Sequence, residues 1–438
     1  MNMKMNIGID DLALEIPSLV LPIVDLAKAR GIEPDKLKYG LGLENMSVCD
    51  INEDVVSLAS GAVIRLLNQN PQISPEDIGR IYVGTESSID GSKPIGSYVH
   101  QLVNDHFDKE VNVLVQTDVI DMTFACIGAV DAMHNSIYYL QANPKKVAIV
   151  VAADIANYDL ESTGEYTQGA GAVAVLLKSE PRLMKIDENW GVAMKSEHDF
   201  FKPIRLEQQG GKTVKLHDEK PIFDGQFSNQ TYELRITEAW NQLNKSNEIN
   251  SFNRLIFHLP YAFHGRRIIT KLLIEELSQK DQLDAICEEF ELDKDDINFV
   301  RMLSKTSFYK DWLKSAIAPG EQFSSHMGNL YTASIFLSLM SALVGDISKG
   351  DKYLFFAYGS GSKAKVFSGT LCDSAKEVVA KWSCKEQLSS RQVISFDEYE
   401  KLRMGWIDSP FSDSKGIQHV ASGIQSTNRF ERTYHNVK

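Results

Sequence analysis

Cysteine is scarce. The 438 residues hold only five, Cys49, Cys126, Cys287, Cys372 and Cys384. The number is odd and no two have CxxC spacing, which argues against a disulfide framework or a zinc site and fits a reducing cytoplasm. Positive charge is also short: 46 lysines and arginines face 59 acidic residues, for a net charge of −13. No basic stripe is available to neutralise phosphates and no polybasic patch marks a membrane surface, so neither nucleic acid nor membrane is an expected partner. A few local cations would still suffice for an anionic ligand. No secretory signal is expected, because the apolar stretch 12–27 is broken by Glu15, Pro17, Pro22 and Asp25. The longest uncharged run, 322–345, contains Ser, His, Asn, Gly and Thr and reads as a buried helix rather than a membrane span. HExxH, a calcium loop, a P-loop and a dinucleotide fingerprint are all missing, which leaves no case for a metal or a nicotinamide cofactor.

What is present is ordinary globular material, 43% apolar and 24% charged, with enough chain for a sizeable core. Apolar spacing of three and four predicts helices over 54–68 and after Cys126, where Ile127, Val130, Met133, Ile137 and Leu140 share a face. Strands are expected at 80–84, 111–115, 147–153 and 169–177. The last third repeats the order, with a strand at 254–258, helices at 265–277 and 331–343, and strands at 353–357 and 363–371. Cys126–helix–strand–strand is thus echoed by Asn329–helix–strand–strand. This predicts an α/β protein built from a duplicated unit, with helices packed on a sheet core. The expected divisions are a first half at 1–178, a connecting region at 179–253, a second half at 254–374 with a helical insertion near 280–317, and an extension at 375–438.

Cys126 is the most suggestive residue. A thiol at a helix start feels unpaired N–H groups and the positive end of the helix dipole, both of which favour the nucleophilic thiolate; a lone buried cysteine also serves as a small core residue. Glu86 lies past a predicted strand end, where α/β enzymes place ligands and where a buried carboxylate can act as a base. His258 ends another strand and can orient a thiolate or donate to an oxyanion, with His326 as a partial rival. Asn329 can offer an amide to a carbonyl or cap a helix. The turn Tyr358-Gly359-Ser360-Gly361-Ser362 brings backbone N–H groups within reach of a substrate oxygen.

Several segments, in order, resemble one family, the 3-hydroxy-3-methylglutaryl-CoA synthases of bacterial type within the thiolase-like superfamily. They are Tyr39-Gly40-Leu41-Gly42-Leu43, Gly84-Thr85-Glu86 with Asp90 and Ser92-Lys93, Ala125-Cys126, Asp154-Ile155-Ala156 with Tyr158, and Asp199-Phe200-Phe201-Lys202-Pro203. They continue with Pro221-Ile222 and Asp224-Gly225, His258 with Pro260-Tyr261, Gly328-Asn329-Leu330-Tyr331-Thr332, Tyr358-Gly359-Ser360-Gly361, and a trace at Glu431-Arg432-Thr433-Tyr434.

The resemblance implies a thiolase-like fold, layered α-β-α-β-α. It implies a condensing acyltransferase that joins acetyl-CoA, acetoacetyl-CoA and water for the mevalonate pathway, with CoA thioesters as substrates and no separate cofactor. By the same resemblance Cys126 is the acetyl-accepting nucleophile, Glu86 the general acid/base, and His258 the residue that positions acetoacetyl-CoA. Asp154, Tyr158, Thr167, Asp199, Asn329 and Ser360 fall at substrate-contacting positions. A cytoplasmic homodimer is implied as well. The alternative is a polyketide β-branching relative acting on acyl-carrier-protein substrates. Two departures stand out. Phe263 occupies a position where many members have a lysine, leaving Arg266 and Arg267 as the expected CoA-phosphate cations. The residues after Cys126, Ile127-Gly128-Ala129-Val130, replace an aromatic-glycine sequence common in the family.

Overall fold

Valine, isoleucine and alanine fill 147–153 without a polar break, and both faces of the strand they form are buried. Ala148, Val150 and Ala152 enter one core, while Val147, Ile149, Val151 and Ala153 enter another, as the two-residue period of a strand requires. The computed structural model describes residues 6–217, 220–243, 248–413, 415–424 and 430–437; 1–5, 218–219, 244–247, 414, 425–429 and 438 of the expected segments lie outside them.

The main sheet has nine strands: β1 (Ile7–Glu15), β2 (Ile78–Gly84), β3 (Asp118–Met122), β4 (Val147–Ile155), β5 (Ala170–Ser179), β6 (Met184–Met194), β7 (Arg254–Phe257), β8 (Lys352–Gly359) and β9 (Lys363–Leu371). Their spatial order is β7-β8-β9-β6-β1-β5-β4-β2-β3. β2 and β4 are parallel, β4 and β5 antiparallel, and β1 lies antiparallel to β5. The other side mirrors this: β7 and β8 are parallel, β8 and β9 antiparallel, and β6 lies antiparallel to β9. β1 meets β6 at the centre. The duplicated element order expected from the sequence therefore appears as a near-palindromic strand order.

The helices that matter are α1 (Val55–Gln69), α2 (Ile95–Phe107), α3 (Gly128–Ala142), α4 (Gly225–Leu243), α5 (His264–Gln279) and α6 (Ser334–Leu343). α1 begins at Asp54, whose carboxylate accepts from Ser57 N in a reciprocal cap. α3 and α6 lie in the middle: Ala129, Val130 and Met133 share one apolar core with Ile335, Leu339 and Met340, and with strand residues of both halves, Val150 and Val175 on one side and Phe355 and Phe367 on the other. α1 and α2 cover the outer face of the first half. α4 and α5 cover that of the second. The layers run helix, sheet, helix, sheet, helix.

Two sequence expectations change. No strand forms at 111–115, because the Asn104 side chain takes the backbone groups a neighbouring strand would use, accepting from Val113 N at 2.8 Å and donating to Val111 O at 3.1 Å. The edge strand is β3 instead. The region 179–253, expected to connect the halves, supplies β6 and α4 to the second half. Its buried Tyr232, Ile236 and Trp240 explain why: they pack against Leu354, Phe356 and Val366. The insertion near 280–317 is helical and shares a small core with Leu273 and Leu277 of α5.

Candidate active site

The chemistry-bearing residues sit just past strand ends. Glu86 follows β2, Cys126 lies between β3 and α3, His258 follows β7, Ser360 follows β8, and Asn329 precedes α6. A cavity of about 270 Å3 brings together Cys126, Tyr158, Thr167, His258, Asn329 and Ser360 from this set. Glu86 lies beside the sulfur: the Cys126 thiol donates to Glu86 Oε1 at 3.0 Å.

Glycine lets these loops approach one another. A Cβ on Gly84 would stand 2.2 Å from Ala129 N, and one on Gly359 would stand 2.6 Å from Phe124 O and 2.7 Å from Ile127 Cγ2. The Cys126 loop is therefore pressed between the ends of β2 and β8. Ala125 has φ 39° and Tyr331 φ 43°. Each is a left-handed residue in the lead-in to a central helix, at a cost of about 1–2 kcal/mol, and such strain gathers at functional sites.

The sequence position suggested a thiolate favoured by the helix dipole. The structure corrects this. α3 begins at Gly128, two residues beyond Cys126. Burial and the facing Glu86 carboxylate push the thiol well above its usual range. Cys126 rests as a thiol hydrogen-bonded to a carboxylate. Burial raises Glu86 too, with Lys202 opposing the rise and Asp154 adding to it. His258 is buried and neutral, held down to about 3 by desolvation, and its Nδ1 has no partner among the described residues.

Asp154 and Asp199, expected to touch substrate, are scaffold groups. Asp154 Oδ1 accepts from Thr85 Oγ1, Glu86 N and Ser87 Oγ at 3.0, 2.8 and 2.8 Å. Its Oδ2 accepts from Thr332 N and Oγ1 at 3.0 and 2.5 Å. Asp199 accepts from Tyr358 OH at 2.5 Å and Gly361 N at 2.8 Å, fixing the turn that carries Ser360. Both are fully enclosed, with their oxygens taken up by protein donors. Asn329 divides its side chain. Oδ1 accepts from Tyr331 N at 2.9 Å and Ser334 Oγ at 3.1 Å, while the Tyr158 phenol is also in hydrogen-bonding reach.

The two arginines also separate. Arg266 pairs with Glu321 and lies 3.5 Å over the Phe263 ring, so its charge is already matched and it is corrected from a phosphate ligand to a structural partner. Arg267 lines the cavity mouth, donating to Gly40 O at 2.7 Å and Tyr261 OH at 3.2 Å. His326 bonds to Asn45 and lies outside the cavity lining.

Sequence reasoning passed over several groups. Phe200 and Phe223, on two short paired strands, and Tyr331 surround Tyr158 with ring centroids 5.6 to 6.5 Å away. Lys202 follows Phe201 and stands 3.5 Å from Glu86 Oε2. His264, at the first turn of α5, lines the cavity with neither ring nitrogen partnered among the described residues. A lysine beside two phenylalanines and a proline was the available signal for Lys202. Among the described residues no cluster of His, Cys, Asp or Glu suits a metal ion, all five cysteines are unpaired, and no helix is long and apolar enough to cross a membrane.

The layered sheet and the cysteine-bearing cavity define a thiolase-like α/β protein. Residues 3–181 match the family described as hydroxymethylglutaryl-coenzyme A synthase N terminal, and residues 185–424 its C-terminal counterpart. A hydroxymethylglutaryl-CoA synthase of Enterococcus faecalis is 30% identical over 99% of this chain and 100% of its own. The solved structure of MvaS in complex with 3-hydroxy-3-methylglutaryl coenzyme A superposes with a TM-score of 0.83 at 29% identity, covering 100% of both chains. The HMG synthase of curacin biosynthesis, at 20% identity, TM-score 0.80 and coverage of 99% and 100%, shares the fold. The chain belongs to the hydroxymethylglutaryl-CoA synthase family.

Proposed function

We propose that this protein condenses acetyl-CoA with acetoacetyl-CoA and water to give 3-hydroxy-3-methylglutaryl-CoA and CoA, as an enzyme of the mevalonate route to isoprenoids. The observation that carries the reading is the 3.0 Å contact between the Cys126 thiol and the Glu86 carboxylate beside a cavity shared with His258. Both carboxylate and thiol are needed, since one chemical step makes an acyl-sulfur bond and the next breaks a carbon–hydrogen bond.

Cys126 Sγ attacks the acetyl carbonyl as Glu86 accepts its proton. The tetrahedral intermediate collapses, and CoA leaves as a thiol once a proton returns to its sulfur. Backbone N–H groups of the Cys126 loop and the Ser360 turn are the candidate donors to the oxyanion, each worth about 2.7–4 kcal/mol of barrier. Glu86, again ionised, takes a proton from the methyl group of acetyl-Cys126. The resulting carbon nucleophile attacks the ketone carbon of acetoacetyl-CoA. His258 shares a hydrogen bond with the ketone oxygen as it becomes an alkoxide, and the proton that Glu86 took from the methyl group ends on that oxygen, giving a tertiary alcohol and restoring the carboxylate. Water cleaves the remaining Cys126 thioester, releasing the free carboxylate and restoring the thiol.

The low identity of the carrier-protein relatives speaks for the fold alone, so CoA thioesters are the preferred substrates. Arg267 at the mouth is the candidate phosphate contact. A homodimer is supported by β3, an edge strand with Ile120 exposed and Val111 and Val115 exposed nearby, because an open strand edge invites pairing. Unpaired cysteines and a bacterial relative support a cytoplasmic enzyme.

Incubation with acetyl-CoA and intact-mass analysis tests the covalent step; adding acetoacetyl-CoA tests condensation. An acetyl adduct that maps to Cys126 and is discharged as product is the expected result. Absence of the adduct, or full condensation by Cys126→Ser, overturns the reading.

A further inference from the structure

Lys202 is the one cation set directly against the catalytic pair among the described residues. Its Nζ lies 3.5 Å from Glu86 Oε2 and 3.3 Å from the Glu86 carbonyl oxygen. It also stands 4.5 Å over the Tyr331 ring. The side chain is only 11% exposed, and that of Glu86 6%. Lys202 reaches the site from the end of the Phe200–Phe201 strand, whose partner strand Ile222–Phe223 helps wall the cavity.

Of the other groups facing Glu86, Asp154 opposes its charge, while the Cys126 S–H favours it only through a neutral hydrogen bond. Asp154, at the end of β4, sends its own carboxylate toward the Glu86 backbone. Cys126 donates a neutral S–H from the α3 lead-in. Tyr158 and Tyr331 are buried phenols, both held above their usual range by desolvation. A buried carboxylate with a second carboxylate beside it takes up a proton unless a cation opposes this. A protonated Glu86 could neither accept from Cys126 nor remove a methyl proton.

We infer that Lys202 is a positioning residue for the condensation, holding Glu86 ionised and aimed at Cys126 Sγ. The inference rests on the proposed role of Glu86 as base. Lys202 acts through Glu86; no contact of its own with substrate is required. The direction of the charge effect follows from the site. Burial lifts Glu86 and Lys202 lowers it, so removing Lys202 lifts it further. The ionised fraction at a given pH then falls, and the base appears only at higher pH.

The test combines two readouts on Lys202→Met and Lys202→Arg. The first is the pH dependence of condensation starting from acetylated enzyme. The second is the Glu86 carboxylate band in isotope-edited infrared spectra, identified by its loss in Glu86→Gln and read without turnover. Lys202→Met is expected to move the acid limb and the infrared titration up by about one pH unit or more, which is about tenfold less base at pH values below both limbs. Lys202→Arg, which keeps the charge, returns both toward wild type. A lower rate with limb and band unmoved in Lys202→Met overturns the inference and leaves only a packing role. Should Lys202→Met fail to fold, the wild-type spectrum decides: a carboxyl band rather than a carboxylate band at neutral pH overturns it. The infrared readout holds whatever the substrate proves to be, so failure of the proposed reaction and failure of this inference are separable.

Discussion

Thr332 gives both its hydroxyl, at 2.5 Å, and its backbone N–H, at 3.0 Å, to the same oxygen of Asp154. Thr332 belongs to the lead-in of α6 in the second half, and Asp154 ends β4 in the first. The other Asp154 oxygen holds Thr85, Glu86 N and Ser87. One carboxylate thus ties the Glu86 loop to the loop of Asn329 and Tyr331.

Replacing Asp154 by alanine leaves several buried donors without partners, each costing about 1–3 kcal/mol. The variant is expected to lose at least about 3 kcal/mol of stability in denaturant unfolding, with kcat falling because Glu86 is no longer fixed. Wild-type stability in Asp154→Ala would show that the clamp is redundant.

Glu86→Gln is expected to form acetyl-Cys126 more slowly yet still to form it, while condensation drops by about 10²–10⁴-fold. Stopped-flow mixing with acetyl-CoA, followed by intact mass, separates the two steps. Loss confined to acetylation, with condensation from acetyl-Cys126 unchanged, would assign Glu86 to acyl transfer alone.

Gly359→Ala places a methyl group where Phe124 O and Ile127 Cγ2 already stand, at 2.6 and 2.7 Å. The Cys126 loop must shift. Activity is expected to fall by about 10²-fold, the scale of an ångström's misplacement at a reacting centre. Kinetics beside a crystal structure of the variant would check it; an active enzyme with an unmoved loop would contradict the close approach.

His264 is held down to about 3 by burial, against an unfolded value near 6.5. Between those values the unfolded chain binds a proton that the folded chain refuses, so its contribution to stability is full above about pH 6.5 and declines as pH falls towards 3. The slope is about 1.4 kcal/mol per pH unit. His264→Leu should flatten the acid side of the stability curve by that amount between about pH 4 and 6, measured by urea unfolding at several pH values. An unchanged difference between variant and wild type across that range would rule out a buried neutral imidazole.

Arg266→Ala and Arg267→Ala should behave differently. The first strips Glu321, itself buried, of its cation and is expected to destabilise by about 3–5 kcal/mol. The second is expected to raise KM for CoA thioesters with little change in stability. Melting curves with initial-rate kinetics distinguish them, and a KM effect confined to Arg266→Ala would reverse the assignment.

Much of the scaffold was readable in advance because its signals are local. The run at 147–153 names a strand buried on both faces, and the apolar spacing over 54–68 names α1. The echo of Cys126 in Asn329 anticipated the palindromic sheet. The stretch 111–115 misled because its apolar residues resemble a strand, whereas Asn104, far up α2, supplies its hydrogen-bond partners. Polar β6 and α4 were hidden for a related reason: strand β6 alternates buried and exposed residues, and α4 commits few of its residues to the core.

The sequence by itself determined the Cys126 loop, the duplicated strand–helix order and the family's ordered motifs, since each depends on residues close together along the chain. Only tertiary structure decided which polar groups face the cavity and which face protein. It turned Asp154 and Asp199 into scaffold, separated Arg267 from Arg266, and brought Lys202 to Glu86 across 116 positions. It also decided the protonation of Cys126, because desolvation and a carboxylate 3.0 Å away outweigh a helix end two residues off.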